Sequence, residues 1–218
     1  MSLERIWPDR GPVTADDLVG EAARPPDGRP WVSGTMVCSI DGRATLEGTS
    51  RKLGGPQDLQ MLLALRRRAD ALIVGPGTVR AEGYGPLPCP AVLVSRSFDL
   101  PWEAGLFAAA GQRVLVYTQA EGEPPAVAAD VEKVSCVALP EVLADLGRRG
   151  VGRLLCEGGP TVNRALLAEG LLDELFLTLS PVVSGDSGPP IIAAGGSAPL
   201  ALQSVATADG ELYLRYSV

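Results

Sequence analysis

The chain has 218 residues, 46% of them hydrophobic, which is enough for one large domain with a sizeable buried core. It contains no histidine, which excludes a Ser-His-Asp triad, a Cys-His dyad and a histidine metal centre. The formal net charge of -7 forces no basic face, so we expect no nucleic-acid partner. The four cysteines lie far apart without a CxxC motif, so we expect buried thiols in a reducing compartment and no metal site.

The sequence predicts neither a membrane span nor a signal peptide. No apolar run follows residues 1–5, where a signal peptide would need one. The longest apolar stretch, residues 165–183, is interrupted by charged residues and glycine between positions 169 and 174. We therefore expect a cytoplasmic protein with no membrane partner.

Residues 1–30 are rich in proline, glycine and charge, and we predict that they form a loosely attached N-terminal arm. Residues 31–218 are expected to form a single domain in which short β-branched runs alternate with helical patterns. Strands separated by helices pair in parallel, so the alternation predicts an α/β fold with a mostly parallel central sheet flanked by helices. The predicted strands are 31–40, 71–74, 91–95, 113–118, 133–138, 153–156 and 174–180, and the predicted helices are 56–69, 140–149 and 160–169.

The C-terminal segment breaks this alternation. Residues 201–207 and 211–218 have strand patterns and flank Ala208-Asp209-Gly210, and Asp-Gly between two strands is a hairpin signal. We expect this antiparallel hairpin to close one edge of the sheet.

Two glycine-containing segments each follow a predicted strand and open a helical pattern. They are residues 74–79 (VGPGTV) and 156–161 (CEGGPT). Glycine lets the backbone approach a phosphate or a ring, and the start of a helix attracts anions. Each segment taken singly is also explained by turn chemistry, but two of them at strand ends suggest a dinucleotide site.

The strand predicted over residues 91–95 ends in Ser95-Arg96-Ser97. Arginine donates a planar fork to phosphate oxygens and the hydroxyls add short hydrogen bonds, so this segment suits a 2′-phosphate and favours NADP over NAD. A solvated loop after an edge strand explains the same residues.

Residues 39–43 (SIDGR) and the run Arg66-Arg67-Arg68 are further candidates. Asp41 can accept a hydrogen bond from a substrate amine or amide, and an Asp-Gly turn explains it almost as well. The three arginines are also explained as the solvated face of a helix.

Together these segments resemble the reductase domain of riboflavin biosynthesis, an NADPH-dependent pyrimidine reductase related to dihydrofolate reductase. The resemblance covers about residues 30–218. It implies a dihydrofolate-reductase-like fold, a homodimer, and hydride transfer from NADPH to a phosphoribosylamino-pyrimidine such as 5-amino-6-(5-phosphoribosylamino)uracil, which converts ribosyl into ribityl. The segments that carry it are 39–43 (SIDGR), 48–51 (GTSR), 65–66 (LR), 70–75 (DALIVG), 77–79 (GTV), 156–161 (CEGGPT) and 179–181 (LSP).

The resemblance also implies roles for individual residues. The cofactor-binding set is Gly75, Thr78, Val79, Ser95, Arg96, Glu157, Gly158, Gly159, Pro160 and Thr161, with the 2′-phosphate near Ser95 and Arg96. The substrate-binding set is Thr35, Ser39, Asp41 and Arg66, with Arg66 as the candidate for the substrate phosphate. A cis peptide bond is expected between Gly158 and Gly159, because dihydrofolate reductase has one at the matching pair.

Asp41 and Glu82 are the predicted catalytic carboxylates. Without histidine, one of them, or a water that it holds, must organise the proton delivered beside the hydride. We expect Arg66 to face the same cleft, while Arg67 and Arg68 are turned about 100° and 200° away on the helix.

The substrate half departs from the family pattern. Thr35 stands where a lysine is common, Leu63 where a histidine is common, and residues 82–86 (EGYGP) replace an acidic and proline-containing turn. Two alternatives stay open: a reductase of dihydrofolate or another pterin-type ring, and a non-catalytic NADP-binding regulatory protein. Deamination is excluded, because the chain lacks the His and Cys ligands of the zinc deaminase domain that bifunctional members carry.

Overall fold

The computed structural model describes residues 3–21, 25–26, 28–185 and 188–218. Eleven strands are formed by these residues: β1 (Leu3–Trp7), β2 (Gly11–Val13), β3 (Trp31–Cys38), β4 (Ala71–Ile73), β5 (Ala91–Val94), β6 (Arg113–Tyr117), β7 (Asp130–Val134), β8 (Arg153–Cys156), β9 (Glu174–Leu179), β10 (Ala201–Ala208) and β11 (Glu211–Ser217). The α-helices are α1 (Ala15–Val19), α2 (Pro56–Arg68), α3 (Pro76–Glu82), α4 (Gly105–Ala108), α5 (Leu139–Arg148) and α6 (Pro160–Ala168). Within the described ranges, none of these helices is long and apolar enough to cross a membrane.

All the strands belong to one sheet in the order β2-β1-β10-β11-β9-β3-β8-β4-β5-β6-β7. The pairs from β9 through β7 are parallel, and the pairs from β2 through β9 are antiparallel. The predicted α/β fold with a mostly parallel sheet is therefore confirmed. Because the parallel strands end at one edge of the sheet, the segments that follow them meet there.

Helices cover both faces of the parallel strands. On β4, Leu72 packs into a core shared with α1 to α4, whereas Ala71 and Ile73 pack with α5 and α6 on the other face. Successive side chains of a strand point to opposite faces, and both faces are buried here. Short, continuously apolar strands such as residues 71–74 are the sequence signature of this arrangement.

The C-terminal hairpin forms as predicted, but it does not close the sheet. Asp209 and Gly210 both have positive φ, 52° and 86°, which a tight two-residue hairpin turn requires. β11 pairs with β9, and β10 pairs on its other side with β1. The sheet therefore continues past the hairpin to β2.

The N-terminal segment differs from the loosely attached arm that we expected. β1 adds to the sheet beside β10, and α1 packs against α2 with Leu18 and Val19 buried. α1 begins with a capping box in which Thr14 and Asp17 hydrogen-bond each other's backbone N–H. β1 supplies hydrogen-bond partners for the backbone of β10, and the pairing buries Leu3. These gains explain why the segment is ordered on the sheet although it is rich in proline and glycine. Residues 1–2, 22–24 and 27 of the predicted arm lie outside the described residues.

Two smaller expectations are also corrected. β7 covers Asp130–Val134, whereas the sequence predicts a strand over residues 133–138. The partner strand β6 ends at Tyr117, which pairs with Val134, so no partner residue is left for positions beyond it. α4 was not predicted, because a four-residue helix has too short a periodic pattern to detect.

The buried position of α1 leads to a stability prediction. Leu18→Ala should lower the free energy of unfolding by about 2–5 kcal/mol, because it empties space in the core shared with α2. Ile6→Ala is the control in the same segment, since its side chain is 42% exposed, and should cost about 1 kcal/mol or less. Chemical denaturation followed by circular dichroism measures both. An unchanged midpoint for Leu18→Ala would show that residues 3–21 are not part of the cooperative unit.

Candidate active site

An open cleft of about 1590 Å³ lies at the edge of the sheet where the parallel strands end. Its walls are formed by α2, α3, part of β3 and the segments that follow β4, β5 and β8. The predicted site residues that line it are Thr35, Arg66, Gly75, Thr78, Glu82, Ser95, Arg96, Glu157, Gly159, Pro160 and Thr161. The other predicted residues, Ser39, Asp41, Val79 and Gly158, are not in its lining.

The two glycine segments touch each other at the floor of the cleft. The Gly75 N–H donates to the Gly158 carbonyl at 2.7 Å, and the Gly158–Gly159 peptide bond is cis, as the resemblance implies. A methyl group placed on Gly159 lies 2.6 Å from Thr78 Oγ1, and one placed on Gly75 lies 3.3 Å from the Gly159 nitrogen. The two backbones approach this closely only because glycine lacks a Cβ.

Ser95 and Arg96 lie at the end of β5, on the same side of the cleft as the glycine segments. Ser95 is 7% exposed, whereas Arg96 is exposed. Within the part of the chain that the structure describes, the Arg96 guanidinium has no hydrogen-bond or ion-pair partner. Its donors are therefore free for an anion in the cleft.

Two predicted cofactor residues do not face the cleft with a side chain. Val79 is completely buried and belongs to the core beneath α3. Gly158 is buried and has a φ of 85°, and a methyl group there would lie 3.1 Å from Met36 Sδ. Both residues shape the loops and do not line the cleft.

Arg66 is held in a buried ion pair. Its Nε and Nη2 atoms lie 2.6 and 2.7 Å from the two carboxylate oxygens of Glu157, whose side chain is 4% exposed. The Tyr84 hydroxyl donates to Glu157 Oε2 at 2.6 Å. The hydrogen bond to Glu157 raises the pKa of Arg66, and burial raises the pKa of Tyr84 well above its usual value. This geometry gives the Arg66 guanidinium a protein partner in place of the predicted substrate phosphate.

The three consecutive arginines of α2 separate as helical geometry predicts. Arg66 lines the cleft, while Arg67 pairs with Asp16 and Arg68 donates to the Gly20 carbonyl, both at the N-terminal segment. Leu63, the position where a histidine is common in the family, is 38% exposed and lies outside the cleft lining.

Asp41 has a different environment from the predicted one. Its carboxylate accepts hydrogen bonds from the Ser39 hydroxyl and from the N–H groups of Ser184 and Gly185, at 2.7, 2.9 and 3.1 Å. These donors lower the pKa of Asp41 to about 2. Ser39 is completely buried, and its hydroxyl also accepts from the Arg43 N–H. The geometry thus favours a structural role for both residues over the predicted substrate and catalytic roles.

Glu82 does lie at the cleft, at the C-terminal end of α3. Its carboxylate accepts from the Thr49 hydroxyl at 3.0 Å and from the Ser50 N–H at 2.8 Å. The Glu82 carbonyl accepts from Arg51 Nη2 at 2.6 Å. Glu82 therefore fastens the short helical turn Ser50–Lys52 to the end of α3.

Asp58 is a cleft residue that the sequence interpretation missed. It lies in the first turn of α2 and lines the cleft. Burial and the charge of Glu211 raise the pKa of its carboxyl, against a hydrogen bond with Thr178 that lowers it. A signal was available, because Asp58, Leu62 and Arg66 are spaced four residues apart and share one face of a helix. A prediction that Arg66 lies at the cleft therefore also predicts that Asp58 lies there.

Known proteins resemble this chain in both sequence and structure. The family model for the RibD C-terminal domain matches residues 30–213. A protein of Archaeoglobus fulgidus named 2,5-diamino-6-ribosylamino-4(3H)-pyrimidinone 5′-phosphate reductase is 28% identical, over 78% of this chain and 88% of that protein. A pyrimidine reductase-like protein from Corynebacterium diphtheriae has a solved structure with a TM-score of 0.77 and 26% identity, covering 94% of this chain and 99% of that chain.

A longer protein shows the same fold. The deaminase/5-amino-6-(5-phosphoribosylamino)uracil reductase of Thermotoga maritima has a TM-score of 0.71 at 23% identity, covering 87% of this chain and 56% of that chain. The predicted dihydrofolate-reductase-like fold is confirmed. Since the family match spans most of the chain, this protein belongs to the RibD C-terminal domain family.

Proposed function

We propose that this chain is an NADPH-dependent reductase that converts the ribosyl group of a phosphoribosylamino-pyrimidine into a ribityl group. The observation that carries the proposal is one cleft lined both by two touching glycine loops and by Arg96, which has no ion-pair partner among the described residues. The relatives are named as reductases of such compounds, which supports the same reaction. NADPH supplies the hydride when it is bound.

The described residues fit a dinucleotide phosphate. Gly75 and Gly159 leave the backbone open where a side chain would fill the floor of the cleft. Thr78 and Thr161 add hydroxyl groups beside these loops, and both line the cleft. We assign the cofactor's diphosphate and ribose to these residues, and its 2′-phosphate to Ser95 and Arg96.

The substrate is assigned to the remaining part of the cleft, between β3 and α2. Thr35 lines this part from β3. Because Arg66 is paired with Glu157, we assign the substrate phosphate to Arg51, an exposed cation that lines the cleft next to Glu82. Of the two predicted catalytic carboxylates, Glu82 alone lines the cleft, and we keep it as the group that orders a water for proton delivery.

The reaction can be tested directly by following NADPH absorbance with a panel of substrates. We expect oxidation of NADPH with a phosphoribosylamino-pyrimidine and little with dihydrofolate. Faster turnover of dihydrofolate would favour the ring-reductase alternative. NADPH binding without turnover of any member would favour the non-catalytic alternative.

We also propose the homodimer that the resemblance implies. Ile6 and Trp7 on β1 and Leu200 and Leu202 at the start of β10 are large apolar side chains with 39 to 43% exposure. A second copy would remove such surface from water. Sedimentation velocity should give twice the monomer mass, and a single monomeric species at micromolar concentration would contradict the homodimer.

Cofactor choice should depend on Arg96. Arg96→Ala should weaken NADPH binding about tenfold to hundredfold and leave NADH binding unchanged, because a charge-assisted phosphate contact contributes about 1.5–3 kcal/mol. Arg148→Ala is the matched control, since this side chain lies on α5 outside the cleft and is 70% exposed. Fluorescence titration measures both cofactors. Equal wild-type affinity for NADPH and NADH would contradict the assignment.

We expect Arg66 to contribute to the stability of the protein and not to substrate binding. Arg66→Ala leaves the buried Glu157 carboxylate without its cation and should lower the free energy of unfolding by on the order of 3 kcal/mol. Arg67→Ala breaks an exposed ion pair with Asp16 and should cost about 0–1 kcal/mol. Denaturation of the ligand-free protein measures both. Should Arg66→Ala unfold like the wild type and only raise the substrate KM, the substrate-phosphate role would be the better one.

A further inference from the structure

A second arginine lines the cleft close to the segment assigned to the 2′-phosphate. Arg80 lies on α3 and lines the cleft, as do Arg96 and Asp99. β4 and β5 are neighbouring strands, so α3 and the segment after β5 leave the sheet side by side. Arg80 Nη2 lies 3.4 Å from Asp99 Oδ1. Asp99 follows Arg96 by three residues, which span at most about 11 Å, so the two arginines flank the same short stretch of the cleft.

The ion pair between Arg80 and Asp99 is long and both side chains are exposed. In the part of the chain that the structure describes, Asp99 is the only ion-pair partner of Arg80. Water and salt screen such a pair, so it contributes little to the stability of the fold. A phosphate that two guanidinium groups share competes well with one exposed carboxylate. Arg80 can therefore exchange Asp99 for a cofactor phosphate at small cost.

The turn that carries Asp99 is anchored in the protein. The Asp99 N–H donates to Ser97 Oγ at 3.3 Å. Phe98 has a φ of 59°, a left-handed conformation that is rare for an aromatic residue. Its ring contacts Trp102, with 5.4 Å between the ring centroids, and Lys133 Nζ lies 5.0 Å from the centre of the same ring. These contacts fix the backbone of the turn, so the carboxylate stays at the cleft.

A carboxylate at this position is unfavourable for a phosphate. Like charges repel each other, and Asp99 lines the same stretch of the cleft as Ser95 and Arg96. In the free protein the charge of Asp99 is balanced by Arg80. The carboxylate also occupies a guanidinium group that a bound phosphate can use. Asp99 therefore competes with a phosphate for the same cation.

We propose that Arg80 is a second ligand of the NADPH 2′-phosphate and that Asp99 is a built-in competitor for it. Arg80 pairs with Asp99 in the free protein, and it donates to the 2′-phosphate when NADPH is bound. NADH carries a hydroxyl in place of this phosphate, so it leaves the ion pair intact. The inference rests on the proposed function and deepens it, because it names a residue pair that sets the preference between the two cofactors.

The test measures the affinities for NADPH and NADH by fluorescence titration. Arg80→Ala should weaken NADPH binding about tenfold and leave NADH binding unchanged, because one charge-assisted contact is lost. Asp99→Asn should strengthen NADPH binding about twofold to fivefold, because the competitor loses its charge. Arg80→Lys keeps the positive charge and should retain most of the preference for NADPH.

The double variant separates competition for Arg80 from simple repulsion. If Asp99 acts by occupying Arg80, the Asp99→Asn substitution releases little once Arg80 is replaced by alanine. The gain in NADPH affinity from Asp99→Asn should therefore shrink in the Arg80→Ala background. A gain of the same size in both backgrounds would show that Asp99 only repels the phosphate, which overturns the competitor role.

Arg113 and Asp130 form a matched control pair. Their ion pair joins β6 to β7 at 3.9 Å and lies outside the cleft lining. The side chains are 58% and 75% exposed, against 49% and 77% for Arg80 and Asp99. Arg113→Ala and Asp130→Asn should leave both affinities unchanged. An equal loss of NADPH and NADH affinity in Arg80→Ala, or no change in either, overturns the proposal.

Binding measurements keep this inference distinct from the proposed reaction, because they need no turnover. Should no substrate be reduced while the preference for NADPH depends on Arg80 and Asp99, the reaction is wrong and the inference stands. Turnover with NADPH and an unchanged cofactor preference in Arg80→Ala leaves the reaction standing and overturns the inference. A wild type without preference for NADPH overturns both the inference and the assignment of the 2′-phosphate.

Discussion

The buried ion pair between Arg66 and Glu157 sets the relative position of the two halves of the cleft. Arg66 belongs to α2, which also carries Asp58, and Glu157 directly precedes the glycine pair after β8. A buried carboxylate without its cation is strongly unfavourable, so helix and loop are held together. The Tyr84 hydroxyl brings the segment after α3 to the same carboxylate. The Glu157 carboxylate thus connects three walls of the cleft: α2, the segment after β8 and the segment after α3.

The cofactor half depends on a second constraint: the segments that follow β4 and β8 meet through glycines, which have no side chains. Gly75 and Gly158 share a 2.7 Å backbone hydrogen bond, and Gly159 faces Thr78 where a Cβ would collide. This contact is made by backbone, so it leaves the space above it open. The other half is lined by side chains, both apolar ones such as Leu59 and Leu62 and polar ones such as Thr35 and Asp58.

Asp41, Glu82 and Asp58 show why residue type alone does not assign a role. Asp41 is surrounded by N–H and hydroxyl donors that lower its pKa to about 2. Glu82 uses its carboxylate to hold Thr49 and Ser50. Asp58 has a raised pKa because burial and Glu211 disfavour its charge. A local motif such as residues 39–43 predicts the turn that contains an acid, whereas its function follows from groups that the fold brings to it.

Much of the fold could be predicted from the sequence because its signals are local. The alternation of strands and helices, the Asp209-Gly210 turn and the two glycine segments depend on neighbouring residues, and all of them form. Other features depend on partners distant in the chain. Arg66 and Glu157 are 91 residues apart, Asp58 of α2 hydrogen-bonds with Thr178 of β9, and β1 pairs with β10 from the other end of the chain. The spacing of residues along the chain does not predict such contacts. The sequence therefore determined the parallel strands and the glycine loops, because their signals are local. The tertiary structure decided which charged groups face the cleft and which pair within the protein, because their partners are distant in the chain.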